Sequence, residues 1–311
     1  MTQYSRLQEK DILEISRKYN LKQISYESIE EGAGNTNYLV RTAQNYYVLT
    51  IFEIEHIRAV NIGRLLSLLE EIDFPTTRVQ KLANGDVITS FQGKPVMLKS
   101  YIVGQVVKNM DENMVSQVGA AIASLHEIPN PHFLPGQYAY GLETFLRVMD
   151  KGINLDYENW LAQRYDFLMQ TIPSGLPRGL IHGDVFYDNV LFDGKKFKAL
   201  IDFEEACQYY KVFDLGMAVV GLCTEESKVR LPKVRSLVNG YQEIRVLEEA
   251  EKEFLPLFIE YAAIATSSWN FWKYNIDTPI AELSGKHWKM VNIAMDASAI
   301  PGEIFMSAVF S

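Results

Sequence analysis

The sequence predicts an α+β protein in two lobes, an N-terminal antiparallel five-stranded sheet with helices followed by a mainly helical C-terminal part. Three observations carry that expectation. Between residues 23 and 102, short β-branched and aromatic runs alternate with Gly- and Asn-containing turns, the pattern of antiparallel strands and hairpins. From residue 111 onward apolar residues recur at helical spacing instead. A chain of 311 residues is long for one hydrophobic core, so an N-terminal lobe of residues 1–103 and a C-terminal lobe of 104–311 are expected.

Taken in order, Leu7, Ile12, Leu13, Ile15 and Tyr19 give the first segment an amphipathic helical stripe, and its many charges speak against a signal peptide. Gln23 to Ile29 alternates as a strand, Gly32 to Asn37 interrupts the pattern, and Tyr38 to Thr42 resumes it before a Gln44-Asn45 turn into Tyr46 to Phe52. The interruption suits phosphate oxygens: Gly32 and Gly34 admit close backbone approach, and Asn35, Thr36 and Asn37 offer amide and hydroxyl hydrogens. An ordinary hairpin with polar turn residues reads the same way. Ile57, Val60, Leu65, Leu68, Leu69 and Ile72 mark a helix ended by Pro75. Strands follow around Val79–Leu82 and Asp86–Phe91, joined by Asn84-Gly85, and the last runs from Pro95 to Ile102.

In the C-terminal part Met114, Val118, Ile122 and Leu125 form a stripe behind an Asp111 cap. Tyr157 to Leu168 is helical up to Pro173, and four more helical segments cover 213–223, 233–245, 248–273 with Pro256 inside, and 287–299. Between them lies a different kind of stretch, Leu180 to Leu215, in which short apolar runs end on His182, Asp184, Asn189 and Asp202. Asp184 and Asn189 are five apart, and an Asp193-Gly194 hairpin turn separates Asn189 from Asp202. A neutral amide oxygen and a carboxylate make the hard-oxygen pair that suits Mg²⁺ held jointly with substrate phosphates. Asp184 can then accept the proton of an attacking hydroxyl, with His182 orienting the loop. Any one of these acids alone reads as a cap or turn residue; their joint spacing is the signal.

His-Gly-Asp-x-x-x-x-Asn, then Ile-Asp-Phe-Glu, then Phe-Asp-Leu-Gly resembles the catalytic core of the aminoglycoside phosphotransferase and choline kinase superfamily, small-molecule relatives of protein kinases. The resemblance implies a protein-kinase-like fold using ATP and Mg²⁺, with Asp184 as base, Asn189 and Asp202 on the metal, and Asp214 bracing the catalytic loop. It also implies that residues 32–37 cover the phosphates and that Tyr101 and Ile102 lie at the adenine edge. One departure stands out. Thr50 occupies the third-strand position where many of these kinases carry Lys, and the following helix has no Glu at its middle to pair with one.

Only eleven residues separate Asp202 from Asp214, too few for a peptide-binding activation segment, so the acceptor is expected to be a small molecule. Gly-Ala-Gly-Asn-Thr-Asn-Tyr and Tyr-Val-Leu-Thr-Ile-Phe-Glu resemble the bacterial homoserine kinases of this fold. A zwitterionic acceptor needs an anion, for which Glu204 is the candidate, and carboxylate donors, for which Arg230 and Arg235 are candidates. Trp269 and Trp272 suit a quaternary ammonium such as choline, or simply a core. Choline, ethanolamine or aminoglycoside kinases, and a nucleotide-binding scaffold without catalysis, are the alternatives. A net charge of −9 with no basic block argues against nucleic acid. Cys207 and Cys223 show no metal or disulfide spacing, and no apolar run approaches membrane-spanning length, so a cytoplasmic protein is expected.

Overall fold

The structure, a computed structural model, describes residues 5–29 and 34–311. The chain divides into one unit running to Gly104 that also takes in Ala199–Glu204, and a second made of Gln105–Lys198 and Glu205–Ser311.

In the first unit the amphipathic stripe forms helix α1 (Glu9–Lys18), opened by Gln8, whose backbone N–H donates to Asp11 Oδ2 at 2.9 Å. The strands are β1 (Ser25–Ile29), β2 (Thr36–Arg41), β3 (Tyr46–Ile51), β4 (Ile88–Phe91) and β5 (Lys94–Ser100). They pair antiparallel in the order β1-β2-β3-β5-β4, the expected five-stranded sheet. Alternation decides its two faces. Val40, Leu49, Ile51, Val96 and Leu98 share one and are fully buried against Ile12 and Ile15 of α1, each contributing about 1.5–3 kcal/mol. Thr50 and its cross-strand partner Met97 share the other, and Met97 meets Gly63 of helix α2 (His56–Glu71).

Two expectations are corrected here. Val79–Leu82 is not a strand: Val79 makes a single bridge to Lys99, and the segment is tied down by Arg78, which donates to Phe74 O, Thr76 O and Asp73. Strand β2 begins at Thr36, two residues before Tyr38, because Asn37 pairs with Thr50 and their polar side chains satisfy each other, Thr50 Oγ1 donating to Asn37 Oδ1 at 2.8 Å. Thr36 and Asn37 therefore sit in the ladder. Gly32 lies outside the described residues.

In the second unit β6 (Gln105–Val106) pairs with β8 (Val190–Asp193), which neighbours β9 (Lys196–Leu200, its last two residues belonging to the first unit) across a turn where Gly194 has φ +58°. Strand β7 (Arg178–Ile181) pairs with β10 (Cys207–Tyr210). Asp111 caps α3 (Glu112–His126) by accepting Met114 N–H at 3.0 Å, and Asn154 caps α4 (Leu155–Thr171) through Tyr157 N–H. The helices α5 (Lys211–Leu222), α6 (Leu231–Gln242), α7 (Glu249–Phe271), α8 (His287–Ala299) and α9 (Gly302–Phe310) complete it. Glycine lets them approach backbone to backbone. A Cβ on Gly119 of α3 would stand 2.0 Å from Leu237 O of α6, and one on Gly240 1.9 Å from Ser116 O. Helices α5 and α7 meet in the same way at Gly216 and Phe258. No single helix among the described residues is long and apolar enough to cross a membrane.

Candidate active site

Strand β7 is buried through Leu180 and Ile181, then releases His182, Gly183 and Asp184 into a loop. That loop hangs from Asp214, in the first turn of α5. The fully buried Asp214 carboxylate accepts the backbone N–H of His182 and of Gly183, each at 2.8 Å. Gly183 has φ +82°, and a Cβ there would lie 2.8 Å from Glu205 O, so the tight approach demands glycine. Tyr138 closes the other side by donating its hydroxyl to Gly183 O at 2.9 Å. His182 Nδ1 accepts the Asp184 N–H at 3.2 Å. Asn189 spends its amide on Asp184, donating Nδ2 to the backbone oxygen and to Oδ2, both at 2.9 Å. Asp184 stays partly accessible.

Behind Asp214 runs a buried relay. His126 Nε2 lies 3.2 Å from Asp214 Oδ2, His126 Nδ1 lies 2.8 Å from the Tyr241 hydroxyl, Arg245 donates to that hydroxyl, and Arg245 pairs in two places with Glu251. The donors can run in one direction, from Arg245 through Tyr241 to a neutral His126 whose Nε2–H serves Asp214. Burial holds His126 below the ordinary histidine pKa against the pull of Asp214. Burial alone would raise Asp214, but His126 and then His182 outweigh it and hold the carboxyl below its ordinary value. His126 reads in sequence as an ordinary helix-end histidine, and only the packing of α3 on α6 brings Tyr241 to it.

The first unit carries the other predicted residues. Leu200 N–H bonds Pro75 O at 3.0 Å, Phe203 packs edge-on against Phe74, and Arg58 donates to Glu204 O at 3.0 Å; these contacts tie the segment with Asp202 to that unit. Asp202 itself is exposed at φ +67°. Asn35 is buried, accepting Glu53 N–H at 2.9 Å and donating Nδ2 to Glu204 Oε2, so Glu204 is held by the residue next to Gly34. Thr36 donates its hydroxyl to Glu53 Oε1, and Glu53 also pairs with Lys94. Burial works against the Glu53 charge, but Lys94, Ser5 and Thr36 outweigh it and lower its pKa. Asn37 receives the hydroxyl of Thr50, which is fully buried where Lys would stand in many such kinases. Strand β5 ends at Ser100; Tyr101 is exposed with its N–H on Tyr46 O, and Ile102 makes no backbone–backbone hydrogen bond among the described residues.

Among the acceptor candidates, Trp269 meets Tyr140 and Tyr274 edge-on, and Trp272 has the Arg147 guanidinium 4.5 Å from its ring centre. Arg230 pairs with Glu225, and Arg235 donates to Ser311 O. Arg147 was not singled out by its sequence context. No cluster of three or more His, Cys, Asp or Glu among the described residues could cage a metal. Asn189 still fits one: with Nδ2 committed to Asp184, its carbonyl oxygen keeps lone pairs for a hard cation, as the exposed carboxylate of Asp202 does.

Residues 25–247 match the phosphotransferase enzyme family. The homoserine kinase of Chelativorans sp. strain BNC1 is 31% identical over 277 residues, covering 85% of each chain. That of Rhodopseudomonas palustris strain BisA53 is 29% identical over 279 residues, covering 85% of this chain and 84% of the relative. Among solved structures, the amicoumacin kinase hAmiN, in complex with AMP-PNP, Ca²⁺ and Ami, superposes with a TM-score of 0.75 over 96% of this chain and 97% of its own at 15% identity, a likeness of fold.

Proposed function

The chain belongs to the phosphotransferase enzyme family and is a small-molecule kinase, and from that premise we propose that it moves the γ-phosphoryl group of Mg·ATP to the side-chain hydroxyl of L-homoserine. The observation that carries the reading is the hold on Asp184, whose carboxylate accepts from Asn189 on a loop suspended from buried Asp214. In this reading Asp184 takes the acceptor's hydroxyl proton as that oxygen bonds to phosphorus and the bond to the leaving ADP oxygen breaks. Asn189 and Asp202 would each offer an oxygen ligand to Mg²⁺. Bound Mg²⁺ would neutralise phosphate charge. Without a third-strand Lys, phosphate orientation falls to the polar residues at the start of β2. Asn37 has its side-chain oxygen on Thr50 and keeps its amide hydrogens for an anion, whereas the Thr36 hydroxyl is engaged by Glu53.

The curated relatives named homoserine kinase support that acceptor. Choline is the second reading, raised by Trp269 and Trp272, but the face of Trp272 already carries Arg147 as its cation. ADP release measured with L-homoserine, choline, ethanolamine and an aminoglycoside tests the choice. Turnover is expected with L-homoserine above the others. ATP binding with no turnover on any acceptor would favour a scaffold instead and overturn the proposal.

A further inference from the structure

Arg147 ends a short helical turn, Leu142–Arg147, and its guanidinium lies 4.5 Å from the ring centre of Trp272 and 5.6 Å from that of Tyr140. Its Nε is shut off from solvent and has no hydrogen-bond partner among the described residues. A buried donor left without an acceptor is costly, so one that persists calls for an explanation. Burial also pulls the Arg147 pKa down, opposed in part by Tyr140, Glu205 and Asp277. Asp277 is itself neutralised, accepting from Lys273 Nζ at 2.9 Å and the Thr278 hydroxyl at 3.0 Å. Of the two carboxylates whose fields reach Arg147, Asp277 is thus shared with Lys273, and neither bonds its Nε.

Its position joins it to the catalytic loop. The Tyr140 ring lies 5.9 Å from that of Tyr138, whose hydroxyl bonds Gly183 O beside Asp184. Two aromatic rings flank the guanidinium, and a guanidinium carries its N–H donors in a planar fork that matches a carboxylate in two parallel bonds. Lysine would supply charge without that fork. We propose that Arg147 binds the carboxylate of the acceptor, so that the enzyme selects hydroxy amino acids over amino alcohols; this rests on the reading of the acceptor as an amino acid.

The test compares L-homoserine with its carboxamide in the wild type, Arg147→Gln and Arg147→Lys. The wild type is expected to prefer L-homoserine. Arg147→Gln should raise its KM by about 10- to 100-fold, the value of a charge-assisted pair, while KM for the carboxamide and for ATP stays put. Arg147→Lys should fall between, and its melting temperature reports whether the fold survives the change. Turnover of L-homoserine with unchanged KM in Arg147→Gln, or with both acceptors weakened alike, overturns the role of Arg147 and leaves the activity standing. Turnover of carboxylate-free acceptors only, or of none, overturns both.

Discussion

Replacing Asp214 by Asn keeps the shape of the side chain and removes one acceptor. The carboxylate receives three donors, the His182 and Gly183 amides and His126 Nε2. An amide oxygen can serve one backbone N–H while its NH₂ faces the other, leaving a buried donor unpaired at about 1–3 kcal/mol. The bonds that remain fall from charge-assisted to neutral, which adds roughly 1 kcal/mol each. Relief of a buried charge does not offset this, since the folded protein holds the Asp214 carboxyl below its ordinary pKa and so favours the ionised form. A loss of about 3–5 kcal/mol is therefore expected in urea unfolding. The loop should also loosen by something like 1 Å, enough to cost about 100-fold in kcat. Amide exchange reads the cause directly: the His182 and Gly183 hydrogens should lose protection ahead of those in α5. Unchanged protection at both amides, with wild-type stability, would refute the idea that the loop hangs from this carboxylate.

Acid sensitivity provides a second prediction. His126 and His287 are both held below the ordinary histidine pKa by burial, so the unfolded chain binds protons that the folded chain does not. Their contribution is complete above about pH 6.5 and is lost as pH falls toward their folded values, at up to about 1.4 kcal/mol per pH unit for each. His126→Gln can keep both hydrogen bonds without titrating, so its urea midpoint should fall less steeply between pH 7 and 5; equal slopes in variant and wild type would contradict the assignment. At the nucleotide end, Asn37→Ala should raise KM for ATP about tenfold, the value of one charge-assisted bond, and Thr36→Ala, whose hydroxyl serves Glu53, should change it less. Unchanged values in both would remove the idea that the start of β2 replaces the missing Lys.

Much of the fold was legible because it is written in periodicity. The alternation of Leu49, Ile51, Val96 and Leu98, the Asp111 cap and the stripe behind it need only neighbours in sequence to be recognised. The motif residues were legible for a similar reason: Asp184, Asn189 and Asp214 are spaced by short elements whose lengths are set by the strands between them. What could not be read depends on which distant elements pack. Val79–Leu82 has strand composition, yet Arg78 ties its start to Phe74, Thr76 and Asp73 instead of to a full ladder. Glu204 is the acceptor candidate by sequence, and its bond to Asn35 needs the tertiary fold. The His126–Tyr241–Arg245 relay rests on glycines 119 and 240 bringing two helices into backbone contact. Arg147 needed the rings of Tyr140 and Trp272 around it to become informative.

The central claim is that Asp184 removes the acceptor's proton. Steady-state kinetics of Asp184→Asn with L-homoserine and Mg·ATP address it most directly, because the substitution preserves size while removing the base. A fall in kcat of about 10²–10⁴ with KM for ATP near the wild-type value is predicted. Wild-type kcat in this variant would contradict the account.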